Sequence, residues 1–115
     1  MQKGESHMIR EVDVNAFAAA HQDGAFVVDV REPHEYEGGH VPGAKNIPLS
    51  HLPRRVAELP RDKDIHVICA SGGRSYSAAQ FLAGSGLRAI SVAGGTQAWL
   101  RSGKPVVNGS KENVA

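Results

Sequence analysis

Cys69 is the only cysteine among 115 residues, and its neighbours are of the types that make a sulfur nucleophilic. It closes the apolar run Ile65-His66-Val67-Ile68 and is followed at once by Ala70-Ser71-Gly72-Gly73-Arg74-Ser75. Ile65, Val67 and Ile68 are β-branched, as a buried strand prefers, whereas residues 76–83 carry apolar side chains three and four apart on good helix formers. The segment therefore reads as strand, loop and helix, with Cys69 where the strand ends. Gly72 and Gly73 permit positive φ and leave backbone N–H groups uncovered. Inward-pointing N–H groups, the positive end of the following helix and the Arg74 guanidinium would all favour a negative sulfur. Because the thiolate is the nucleophile and a free thiol titrates near ~8.5, the loop predicts a lowered Cys69 pKa. The same donors suit an oxyanion or the outer sulfur of a persulfide. A lone cysteine ending an apolar strand is ordinarily a small buried hydrophobe; two glycines, an arginine and a helix directly after it favour chemistry over packing.

The elements that must position this loop alternate along the chain. Residues 9–12 read as a short edge strand, and Asp13 caps a helix through residues 14–20 with Val14, Phe17 and Ala18 on one face. Residues 25–30 form a continuous apolar run, as expected of a central strand covered on both faces. A helical turn at residues 33–37, a turn at 40–44, a short strand at 44–47 and a helical stretch capped by Ser50 follow. Beyond the Cys69 loop, its helix ends at residues 84–86, another strand spans 87–92, and a short helix spans 96–101. Such alternation predicts an α/β fold with a mostly parallel sheet and helices on both faces. Sites in such folds form beyond the carboxyl ends of the strands, so Asp29, Arg31 and Gly94-Gly95 are candidates to surround the loop. Residues 1–8 read as a flexible segment, with Ser6-His7-Met8 of the kind left by an expression vector, and residues from Lys104 onward as a loose tail.

Composition bounds the function. The length suits one domain and one core. A net charge of +1 with dispersed Lys and Arg indicates neither a nucleic-acid patch nor a membrane anchor, which leaves small molecules or proteins as partners. One cysteine forms no intrachain disulfide, and the six histidines lack metal-ligand spacing, so neither a metal nor a cofactor is expected. No apolar run has the length of a membrane span, and the reducing cytoplasm suits a free reactive thiol.

Four stretches in order resemble a known family: Asp29-Val30-Arg31-Glu32-Pro33-His34-Glu35-Tyr36, residues 39–48 from Gly39-His40 to Ile47-Pro48, residues 69–75, and Gly94-Gly95-Thr96-Gln97-Ala98-Trp99. The chain resembles a single-domain rhodanese-like sulfurtransferase over residues 9–106, with residues 107–115 as a flexible tail. The resemblance implies a five-stranded parallel sheet between helices. It also implies a catalytic cysteine, Cys69, that takes a sulfane sulfur from thiosulfate or another persulfide donor and passes it to cyanide, a thiol or a partner protein. Ala70, Ser71, Gly72, Gly73, Arg74 and Ser75 would then hold the persulfide, with Arg74 adding positive charge for anionic donors. Asp29 and Arg31 are expected to support the loops through an ion pair without touching substrate. Several relatives carry a basic residue directly after the cysteine, where this chain has Ala70; the departure implies weak thiosulfate binding.

Two rivals remain. A cysteine phosphatase or arsenate reductase also sets a thiolate in a backbone cradle ending in arginine, but its loop is one residue longer than the stretch here. The other is a sulfur-carrier or protein-binding module of the same fold with little thiosulfate turnover.

Overall fold

In the computed structural model, which describes residues 9–112, five parallel strands form one sheet in the order β1-β5-β4-β2-β3. They are β1 (Arg10–Val12), β2 (Phe26–Asp29), β3 (Lys45–Asn46), β4 (Asp64–Ile68) and β5 (Arg88–Val92). Helices α1 (Val14–Gln22), α2 (Pro33–Glu37), α3 (Leu52–Arg55), α4 (Gly73–Gly84) and α5 (Gly95–Arg101) make the connections, with 3-10 turns on either side of α3. Asp13 caps α1 as expected, its carboxylate accepting from Ala16 N at 2.9 Å. Ser50 does not cap a helix. It lies within the 3-10 turn Leu49–His51, where Pro48 takes the cap position.

Side-chain alternation along β4 divides the core. Ile65, Val67 and Cys69 join Val28, Val30, Leu52, Ala78, Ala79 and Leu82 in a cluster under α3 and α4. Ile68 faces the opposite way and packs with Val27, Val92, Phe17, Tyr36 and Trp99 beneath α1, α2 and α5. This places β4 at the centre of the sheet and sends the Cys69 side chain toward α4.

Two features fix the edge where β4 ends. Asp29, wholly buried, accepts from Arg31 Nε and Nη2 at 3.0 and 2.8 Å, and Arg31 Nη2 also donates to Gly39 O. Asn46 Nδ2 ties the same turn by donating to the carbonyl oxygens of Asp29 and Arg31. On the other side, the N-terminus of α5 is pressed against the backbone after β4: Thr96 N donates to Cys69 O at 2.8 Å and Gln97 N to Ala70 O at 3.0 Å. The approach is so close that a Cβ at Gly95 would lie 2.5 Å from Cys69 O, and φ there is +58°.

The stretch from Lys104, expected as a loose tail, is laid against the body as far as Glu112. Trp99 Nε1 donates to Pro105 O, Val107 pairs with His40 in an antiparallel bridge, and Gly109 N donates to Glu37 O. Most of these contacts engage main-chain groups of the stretch, which carry no side-chain periodicity for a sequence to display. The expectations for residues 1–8 and 113–115 lie outside the described residues.

Gly95→Ala is expected to cost roughly 2 to 5 kcal/mol, combining left-handed backbone strain with overpacking against a peptide that cannot retreat. Gly24→Ala is the control, because Gly24 also has positive φ but open space around it; about 1 to 2 kcal/mol is expected there. Denaturant midpoints of the two variants compare the costs, and equal losses would locate the whole effect in φ.

Candidate active site

The cradle is built from the end of β4 and the first turn of α4. Gly72 N donates to Cys69 Sγ at 3.1 Å, and the φ of +116° at Gly72 turns the chain into α4 so that Ser75 N donates to the same sulfur at 3.3 Å. The helix starts at Gly73, so Gly73, Arg74 and Ser75 belong to its first turn and not to the preceding loop. The first-turn N–H groups of Gly73 and Arg74 consequently have no intrahelical acceptor. Ser71 and Gly73 are exposed, Ala70, Gly72 and Arg74 are half-buried, and Ser75 is buried.

Ser75 contributes its hydroxyl as well. Ser75 Oγ lies 3.5 Å from Cys69 Sγ, 3.1 Å from Gly72 O and 2.9 Å from Ser91 Oγ on β5. A hydroxyl has one proton. With a neutral thiol, Sγ–H donates to Ser75 and Ser75 donates to Gly72 O; with a thiolate, Ser75 turns its proton onto the sulfur while Ser91 donates to Ser75. Burial penalises the charged form of Cys69, yet the Ser75 hydroxyl and the N–H groups of Ser75, Gly72 and Ser71 outweigh it. The thiol is therefore held below its ordinary value.

Arg74 sits beside this cradle but is not free. Its Nη1 and Nη2 donate to Glu35 Oε1 and Oε2 at 2.7 and 3.0 Å, so α2 holds the guanidinium from across the loop. Asp29 and Arg31 meet each other and not the sulfur; their pair shapes the turn that leads into α2. Among the described residues, no group of three or more His, Cys, Asp or Glu is placed to hold a metal ion, and no helix is long and apolar enough to cross a membrane. Three cavities, of 360, 680 and 300 Å³, are lined by residues of other regions, so none of them encloses the Cys69 loop.

Residues 13–102 match the family of the Rhodanese-like domain. The chain belongs to that family. It is 36% identical over 103 residues to a sulfurtransferase of Allochromatium vinosum, covering 87% of this chain and 96% of that protein. It is also 34% identical over 108 residues to YrkF of Bacillus subtilis, whose name proposes a sulfur carrier; the match covers 86% of this chain and 58% of that one. Among solved structures, a rhodanese-related protein of Thermoplasma volcanium superposes with a TM-score of 0.81 at 40% identity, covering 85% of this chain and 97% of that chain.

Two residues of this rhodanese-like domain escaped the sequence reading of the site. Ser91 carried a signal, a lone hydroxyl in the otherwise apolar strand Ala89-Ile90-Ser91-Val92. Glu35 carried none toward Arg74, because the partners are 39 positions apart.

Ser75→Ala removes one donor of the thiolate and leaves its backbone N–H in place. The inflection of thiol alkylation rate against pH is expected to move upward from that of the native protein. An unmoved inflection would assign the whole effect to the backbone donors.

Proposed function

We propose that this domain is a sulfurtransferase in which Cys69 carries the sulfur as a persulfide. The observation that carries the reading is the buried sulfur with inward N–H donors from Gly72 and Ser75, in a chain whose relatives include a named sulfurtransferase. The thiolate attacks the outer sulfur of the donor, a new S–S bond forms, and the bond to the donor's remainder breaks with its electron pair leaving on that fragment. The N–H groups of Gly73 and Arg74 are then placed to hold the added sulfur, with those of Gly72 and Ser75 already committed to Sγ. A thiophilic acceptor such as cyanide or a thiol attacks the outer sulfur and returns the thiolate. No general acid or base is needed while the cradle keeps Cys69 ionised. A free thiol of this kind suits a reducing compartment such as the cytoplasm.

A second reading is a sulfur carrier that receives its sulfur from a protein donor and turns thiosulfate over slowly. Ala70 after the cysteine, the engaged Arg74 and the name of the Bacillus subtilis relative favour it. A phosphatase is disfavoured: a phosphoryl group needs donors around three equatorial oxygens, whereas two of the N–H groups here are spent on one sulfur atom.

Incubation with thiosulfate or an alkyl persulfide is expected to add the mass of one sulfur atom to the native protein and none to Cys69→Ser. Cyanide should then remove it. Sulfur uptake by Cys69→Ser, or no uptake by the native protein from either donor, would refute the reading. Aryl phosphate hydrolysis is expected to be negligible.

A further inference from the structure

The one formal positive charge of the loop is already paired. Glu35 takes the Arg74 guanidinium through two parallel bonds, the geometry in which a carboxylate binds arginine most tightly. Glu35 is itself fixed, because Glu32 N donates to its Oε1 at 2.9 Å in the capping box that starts α2, and α2 starts from the turn braced by Asp29 and Arg31. The bond from Arg74 outweighs partial burial and pushes the Glu35 carboxyl down to about 2, so it stays anionic at any working pH. Both partners are partly exposed, with side-chain accessibilities of 38% for Arg74 and 27% for Glu35, so an arriving donor meets the pair and not a bare cation. Arg74 lies in the first turn of α4, between Gly72 and Ser75, whose N–H groups donate to Sγ, and a negative sulfur at Cys69 in turn favours the charged form of the guanidinium.

We infer that Glu35 sets the charge preference for the sulfur donor: by holding the Arg74 guanidinium it withholds positive charge from the cradle and favours singly charged donors over dianions. The inference rests on the sulfurtransferase reading and names the donor class for that site. A dianion must either compete with Glu35 for Arg74 or approach a carboxylate. A donor with one negative charge on its transferable sulfur can use the backbone N–H groups alone.

Thiosulfate and methanethiosulfonate test this, since the second replaces one charged oxygen of the first by a methyl group. In both reactions Cys69 attacks the outer sulfur, the new S–S bond forms, and the old sulfur–sulfur bond breaks with its electron pair leaving on sulfite or on methanesulfinate. Steady-state rates with cyanide as acceptor give kcat/KM for each donor. In Glu35→Gln, which retains an oxygen to accept from Glu32 N, the ratio for thiosulfate over methanethiosulfonate is expected to rise roughly ten- to a hundredfold, mainly through a lower KM for thiosulfate. The rise should be lost when Arg74→Ala is added, because no guanidinium is then released. An unmoved ratio in Glu35→Gln, or the same rise without Arg74, would overturn the inference. Glu35→Ala provides a second route if Gln disturbs α2, with the same rise expected and its absence equally adverse. Intact mass of the native protein keeps the two ideas apart: no persulfide from these donors or from an alkyl persulfide defeats the sulfurtransferase reading, whereas a persulfide with an unmoved ratio defeats only the role of Glu35.

Discussion

A sulfur with 1% of its residue's surface exposed can be an anion only if hydrogen bonds replace the water it has lost. Removing a charge from water costs several kcal/mol, and each bond to a charged group returns about 1.5 to 3 kcal/mol. The backbone donors of Gly72 and Ser75 together with the Ser75 hydroxyl are thus of the right size to offset burial, while a single donor would not suffice. This balance explains why the turn after β4 has to be tight. It explains the positive φ of Gly72, since that conformation turns the chain into α4 so that Ser75 N comes back to Sγ. It also explains the neighbouring elements, because a turn whose donors face inward must be held from outside.

The holding is done by backbone. The carbonyl oxygens of Cys69 and Ala70 point away from the cradle and are taken by the N–H groups of Thr96 and Gln97. Gly95 leaves room for that approach. On the far side, the Asp29–Arg31 pair shapes the entry to α2, and α2 delivers Glu35 to Arg74. Buried ion pairs contribute little net stability, so the value of this one lies in the geometry it imposes.

Much of this was legible in the sequence, and the parts that were not share a cause. The sheet could be read because buried parallel strands are continuous apolar runs, as at residues 25–30 and 65–68. Cys69 could be read because a strand end, two glycines and an arginine are contiguous. The four stretches of family resemblance brought with them the five parallel strands, though not their order in the sheet. The engagement of Arg74 by Glu35 and of Ser75 by Ser91 could not be read, since pairing between distant polar side chains depends on the order of strands in space. The helix after Cys69 was expected from residue 76, and its start at Gly73 was missed because glycine is a poor helix former. The strap formed by residues 105–112 was missed because it is held mostly through its main chain, which leaves no residue-type pattern.

The inward face of the cradle is made of main-chain N–H groups and the Ser75 hydroxyl, whereas the side chains of Ala70 and Ser71 take no part in holding the sulfur. Under the proposed function, reactivity and recognition would therefore reside in different atoms of the same few residues. Peptide N–H groups persist whatever side chain is attached, provided that the glycines keep the turn. Substitution at Ala70 and Ser71 would alter the rim above the cradle and leave the donors around Sγ as they are. If Cys69 is the sulfur carrier proposed above, a fold arranged in this way could change its clients by drift on its outer surface, with the cradle passed on intact.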